Sequence, residues 1–410
     1  KKILCLICLF SVSFYSCAVR NYLGSQSGLS EDRVFYAQMI NNGNIYGWFN
    51  IPAHLLKVSD NLAIYLQNSQ KVSAYALNKL AQEFDYYYTS MTNIYGTHSD
   101  IDANGKIIIL LMDINKTKGS GNQVLGYFNP SDMHGNNKGE ILYMDISNAN
   151  NKTDNAIGTI IHEFQHLINY SYVISGERNE MSSWLNEALS ESTSILFNKA
   201  TVESRIAGFN NINYYCFYTW DIPTNISNNN KNNTHVNYPS ASVFMNWLYQ
   251  KNGSNGSIFK TIASSKELGD YKKVLSAANG ISGYSVSSWD GLLLDWMSEI
   301  VTNGSNWTTT NKPTNNCASG DVSLYPGAMI VCDSYTNGAS GNIVKTNVNS
   351  KTIVLNKDIT LGKGATSVKV SVTSSTSSKA RMSRSIRNDN NEESRDINIL
   401  LDRNGNIKKD

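Results

Sequence analysis

The chain has 410 residues, 41% of them hydrophobic, and a formal net charge of +2. That length supports a substantial core and more than one domain. The near-neutral balance argues against a nucleic-acid-binding protein, which needs a strongly basic face.

The chain opens on Lys1-Lys2, followed by the apolar run Ile3–Phe10. A positive start and a short apolar stretch predict a bacterial secretion signal, too short for a membrane span. The run ends in Phe14-Tyr15-Ser16-Cys17, where a small residue before cysteine resembles the lipobox of bacterial lipoproteins. The aromatic pair departs from the usual box, which leaves two readings open: lipidation at Cys17, or plain signal cleavage nearby. Residues 18–46 read as a lead-in, with Gly24-Ser25-Gln26-Ser27-Gly28 linker-like.

Strand character begins near Asn50 and is clearest in Leu62-Ala63-Ile64-Tyr65-Leu66. Val72, Tyr75, Ala76, Leu80, Phe84 and Tyr87 form a helical stripe over residues 71–88. Asp100-Ile101-Asp102-Ala103-Asn104-Gly105 has the spacing that starts a calcium loop. The twelfth position is Leu111, however, where an EF-hand needs a bidentate glutamate. A polar turn entering the strand Ile107–Met112 is the favoured reading. Gly126–Pro130 reads as a short edge segment and Glu140–Ile146 as another strand.

Next comes His162-Glu163-Phe164-Gln165-His166. Ile157, Ile160, Ile161, Phe164, Leu167 and Ile168 recur at helical spacing around it, with Thr153 or Asp154 as cap. Residues four apart share a helix face, so His162 and His166 can grip one zinc ion. Glu163 follows the first histidine and can take a proton from an activated water. A catalytic zinc needs a third protein ligand. Glu187, in Trp184-Leu185-Asn186-Glu187-Ala188, is the candidate, on a helix over 184–197 capped by Ser182 or Ser183. Glu191, one turn further on, can accept the remaining N–H of a ligand histidine.

His-Glu-Phe-Gln-His followed by Trp-Leu-Asn-Glu-Ala resembles the glutamate-ligand zinc peptidases, the gluzincins, and within them the hyicolysin-type family of bacterial secreted peptidases. The similarity runs from about Gly47 to Thr302. It implies an α+β zincin-like catalytic domain, one catalytic zinc ion and hydrolysis of peptide bonds. In thermolysin-like relatives a histidine stabilises the oxyanion, and in the aminopeptidases a tyrosine does. Here His235 and Tyr238 are both candidates, just before a helix expected from Ser240 to Gln250. Tyr238 is preferred, because a neutral phenol donates a hydrogen bond across the neutral pH range. Residues 203–237 read as a long irregular loop.

Further helices are expected over 256–266, 270–278 and 286–302. Residues 306–378, rich in Thr, Ser, Val, Asn and Gly, read as a small all-β accessory domain. A charged tail with a possible terminal hairpin follows over 379–410. The expected domains are thus a signal at 1–17, a lead-in at 18–46, a peptidase at 47–305, the β-domain and the tail. Of six cysteines, Cys5 and Cys8 leave with the signal. Cys317 and Cys332 are expected to pair in an exported protein, and Cys216 to be buried.

The function expected is a surface-anchored zinc endopeptidase. It would act on protein or peptide substrates, hold to the membrane through its lipid, and bind no nucleic acid; its oligomeric state is open. The alternative is an adhesin-like lipoprotein whose zinc is structural, marked by a closed fourth ligand. An exopeptidase needs an anchor for the peptide terminus, and the sequence marks none.

Overall fold

A computed structural model describes residues 29–117, 123–221, 234–302, 307, 309–338, 342–359 and 366–374. The signal, Cys17 and the charged tail lie outside these residues. The described chain forms two compact units, one over 29–88 and 99–157, the other over 89–98 and 158–374.

The first unit is built on a six-stranded mixed sheet in the order β1-β2-β3-β4-β6-β5. Its strands are β1 (Asp32–Asn41), β2 (Asn44–Val58), β3 (Leu62–Gln67), β4 (Ile107–Met112), β5 (Gly126–Phe128) and β6 (Ile141–Asp145). β3, β4 and β6 are parallel and almost wholly buried, which is why each reads as an unbroken apolar run rather than an alternating one. Helix α1 (Ala74–Tyr95) makes the crossover between β3 and β4. β5 runs antiparallel to β6 at one edge, and β1 forms the other.

The sheet begins earlier than the sequence suggests. β1 lies inside the stretch read as a lead-in, and it pairs with β2 along its whole length. The turn between them is Asn42-Gly43, with φ of 51° and 74°. Asn-Gly at positive φ is the signature of a tight hairpin, and it marks this one. The acidic loop forms a polar turn: Asp100 Oδ1 accepts from the Asn104 and Gly105 amides, and Asp102 Oδ2 accepts from Asn104 Nδ2. Arg33 stands 3.8 Å from Asp102.

The chain continues through α2 (Ile146–Asn151) into α3 (Thr153–Ile174). The helices of the second unit are α4 (Ser183–Phe197), α5 (Lys199–Asn210), α6 (Thr234–Lys251), α7 (Ser257–Ser264), α8 (Asp270–Asn279) and α9 (Trp289–Thr302). Its core is aromatic. Trp184, at the start of α4, packs on Phe217, Tyr218 and Trp289 with ring centroids 5.5, 4.8 and 5.7 Å away. Such contacts anchor the helix that carries Glu187.

Two differences from the sequence reading lie here. Part of the expected loop is α5, which buries only Val202, Ile206 and Phe209 against an otherwise polar sequence. That narrow stripe and the N-cap Asn198, whose Oδ1 accepts from the Thr201 amide, are the local signals of the helix. α6 begins at Thr234, so Pro239 lies inside it and His235 and Tyr238 belong to its first turns.

Beyond α9 the chain turns to β-structure. β8 (Met329–Cys332), β10 (Ile343–Val348) and β11 (Lys351–Asn356) form one three-stranded sheet. β7 (Gly320–Leu324), β9 (Ser334–Gly338) and β12 (Val368–Thr373) form another. Tyr215 exchanges backbone hydrogen bonds with Met329, so the β10-β11-β8 sheet joins the segment after α5 directly.

The expected bridge between Cys317 and Cys332 is not formed; both are free thiols. Cys317 pairs with Val331, one residue before Cys332, and successive strand residues point to opposite faces. Cys332 is accordingly buried while Cys317 is half-buried. Cys216 is a buried free thiol, as its composition-based reading anticipates.

Candidate active site

The histidine motif lies on α3 and the glutamate on α4. Two polar rungs, one turn apart, tie these helices together. Asn169 Nδ2 donates to Asn186 Oδ1 at 3.0 Å, and the Ser190 hydroxyl donates to Gln165 Oε1 at 2.6 Å. Each such bond is worth about 1 kcal/mol net, and more when its loss would strand a buried partner. Gly158 on α3 allows the close approach: a Cβ there would meet Asn198 Nδ2, at the junction of α4 and α5, at 2.2 Å.

This packing brings three donor atoms together. His162 Nε2 and His166 Nε2 are 3.2 Å apart, and Glu187 Oε2 is 3.3 Å from the first and 3.7 Å from the second. Tetrahedral zinc with bonds of about 2.0–2.1 Å separates its ligand atoms by about 3.3 Å. The triangle has the size of one face of that tetrahedron. Asp100, Asp102 and Glu140 form a second acidic group, in which Asp100 Oδ1, Asp102 Oδ2 and Glu140 Oε1 accept hydrogen bonds from residues 101–105.

Electrostatics points the same way. Glu163, Glu187 and Glu191 are each at most 1% exposed. Arg205 pairs with Glu191. Burial lowers the His162 imidazole to about 4, the nearby Arg205 also lowering it while Glu191 acts the other way. The ring is thus neutral, with a lone pair available to a metal. Burial also pushes the Glu187 carboxyl up to about 7, with His166, the Tyr238 hydroxyl and Arg205 pulling against that rise and Glu191 adding to it. A carboxylate buried this way is stabilised by a cation beside it.

The outer contacts of the two histidines differ. Ser190 Oγ lies 3.1 Å from His166 Nδ1. Its proton goes to Gln165, so its oxygen can accept the Nδ1–H of His166 and leave Nε2 facing inward. Glu191 Oε1 is 3.7 Å from His162 Nδ1, beyond hydrogen-bond length. The expectation that Glu191 accepts a ligand N–H is therefore not met. Its oxygens are engaged by Arg205 instead, at 2.8 Å from Nε and 2.9 Å from Nη2.

Tyr238 is buried, with its ring centroid 6.4 Å from that of His162. Burial first, then the neighbouring Glu187, hold its phenol well above the usual range, so it keeps its proton. His235 is exposed. Between the two oxyanion candidates, the structure brings Tyr238 to the histidines.

The reading from sequence overlooked Ser190, Gln165, Asn169 and Arg205. Ser190 had a signal, since it lies three residues after Glu187 on the same helix face. Arg205 had none, being contributed by a helix that the sequence disguised.

No family model matches the chain. A sequence relative is the neutral metalloprotease ShpI of Staphylococcus hyicus, 28% identical over 200 residues. The chain is a homologue of a neutral metalloprotease. The match covers 45% of this chain and 44% of the relative, so it spans less than half of that protein's length. Among solved structures, the chain is similar to native leukotriene A4 hydrolase from Saccharomyces cerevisiae. That likeness has 15% identity and a TM-score of 0.31, over 68% of this chain and 44% of that one. It is also similar to an M1 zinc metallopeptidase from Deinococcus radiodurans, solved as a glutamate-to-alanine mutant. Here identity is 10% and TM-score 0.31, over 70% of this chain and 64% of that one. Neither structural likeness is close enough to fix the fold.

Proposed function

We propose that this chain is a zinc-dependent endopeptidase, exported and held at a bacterial surface by a lipid on Cys17. The observation that carries the reading is the triangle of His162 Nε2, His166 Nε2 and Glu187 Oε2, with edges of 3.2, 3.3 and 3.7 Å, sized for zinc. The kinship with a neutral metalloprotease supports it. Export and anchoring rest on the apolar start and Ser16-Cys17.

His162, His166 and Glu187 would hold the ion. When bound, zinc acidifies water and polarises a carbonyl oxygen. Glu163, beside the first ligand on α3, takes the proton of the attacking water and passes it to the departing amine. Tyr238 donates a hydrogen bond to the oxygen that gains charge as the carbonyl is attacked. Ser190 keeps the His166 ring turned for ligation.

The test measures zinc by mass spectrometry and the digestion of denatured casein, with and without chelator. The Glu163→Gln protein should keep its zinc and lose about 10²- to 10⁴-fold in turnover, since an amide cannot accept the proton. Normal digestion by that variant would sink the mechanism. For the anchor, the wild type should enter the detergent phase and Cys17→Ala should not; equal aqueous partitioning would favour plain secretion.

A further inference from the structure

We infer that Arg205 is a positioning residue for the peptide-bond chemistry, acting through the ring of Tyr238. The inference rests on the proposed function and assigns a role to a side chain that the sequence motifs do not include.

The guanidinium carbon of Arg205 lies 4.7 Å from the centroid of the Tyr238 ring. Its position is set by the two bonds to Glu191, of 2.8 and 2.9 Å. Trp220 meets the same ring edge-on, with centroids 5.2 Å apart and planes at 88°. The backbone is built for this contact. Arg205 lies on α5, and Gly208, one turn further along, faces Pro239, the residue after Tyr238. A Cβ on Gly208 would sit 3.0 Å from Pro239 Cγ, tighter than most side chains tolerate. The missing side chain lets α5 and α6 close together where the cation meets the ring.

A cation over a phenol ring attracts its π electrons. This fixes the ring and makes the hydroxyl a better hydrogen-bond donor. A donor aimed at an oxyanion is sensitive to placement on the scale of half an ångström. Its contribution appears as charge develops, so losing the support should lower kcat and leave KM almost unchanged. Glu191, in this arrangement, holds Arg205 over the ring.

Simple removal of Arg205 would strand the buried Glu191 carboxylate, so Arg205→Met is combined with Glu191→Gln, and the two changes together strand no charge. This double replacement is made with and without Tyr238→Phe and compared with the wild type. Kinetics use a quenched fluorescent peptide spanning a casein site that the wild type cleaves, with zinc content measured for each protein. The double replacement should lower kcat roughly 3- to 30-fold, with KM and zinc unchanged. It should cost less than about twofold once Tyr238→Phe is present, because residues acting through one another are not additive. An equal loss in both backgrounds, or none in either, overturns the inference. A second readout needs no turnover. In the metal-free protein, the tyrosine ¹³Cζ signal that disappears in Tyr238→Phe should shift in Arg205→Lys, which keeps the charge but not the planar fork. An unmoved signal also overturns the inference. A wild type that binds no zinc and cleaves nothing refutes the proposed function separately, and the carbon signal still decides whether Arg205 governs Tyr238.

Discussion

Ser190 Oγ stands 3.1 Å from His166 Nδ1 while its own proton goes to Gln165 Oε1 at 2.6 Å. A hydroxyl so committed can only accept from the imidazole. That fixes the tautomer of His166 from one helix turn beyond Glu187, and it uses a neutral group where metal sites often use a carboxylate.

Ser190→Ala should therefore weaken zinc binding by about 10- to 100-fold, the usual cost of removing such an outer contact. Ser190→Thr, which keeps the hydroxyl, should recover most of it. Competition with a chelating dye reads both. An alanine variant that holds zinc as tightly as the wild type would show that the ring needs no such orientation.

Tyr238→Phe should lower kcat by roughly 10²- to 10³-fold with zinc and KM almost unchanged, as loss of a transition-state donor does. His235→Ala, at an exposed position, should be silent. Steady-state kinetics on one peptide compares them. The opposite pattern would transfer the oxyanion role to His235.

Asp132, in the first unit, supplies a pH dependence. Its carboxyl accepts from the Tyr143 hydroxyl at 2.8 Å and from Asn137 Nδ2 at 2.7 Å. Burial nevertheless pushes it up to about 7 from an ordinary 3.8, the hydrogen bonds from Tyr143 and Asn137 pulling against that rise. Between those values the folded protein keeps a proton that the unfolded chain has released, so stability must fall as pH rises across the window. The full shift corresponds to about 4 kcal/mol as an upper bound. Urea unfolding at pH 4.5 and 7.5 should show a drop in the wild type and a clearly smaller one in Asp132→Asn. Identical drops would mean that Asp132 is already ionised in the fold.

Much of the site could be read along the chain. His162, Glu163 and His166 stand out by helical spacing, and Glu187 by its place in Trp184-Leu185-Asn186-Glu187-Ala188. The central strands β3, β4 and β6 were equally plain, because strands buried on both faces must be apolar throughout. Each of these features is local, set by residues within one element.

What the sequence left open depends on which elements meet. β1 reads as a lead-in by itself, because it becomes a strand only through its partner across the Asn42-Gly43 turn. α5 reads as a loop because three buried residues, Val202, Ile206 and Phe209, are a faint signal in a polar segment. Arg205 comes from this helix, so no local pattern links it to Glu191, whose oxygens accept from the guanidinium. The register that sets Cys317 against Val331 likewise decides against the disulfide suggested by spacing. Sequence periodicity determined the ligand helices and the apolar strands, since one element's own pattern of burial dictates them. The partners of Glu191, the burial of Tyr238 beside His162 and the state of the cysteines were decided by tertiary packing, which brings together groups that no periodicity connects.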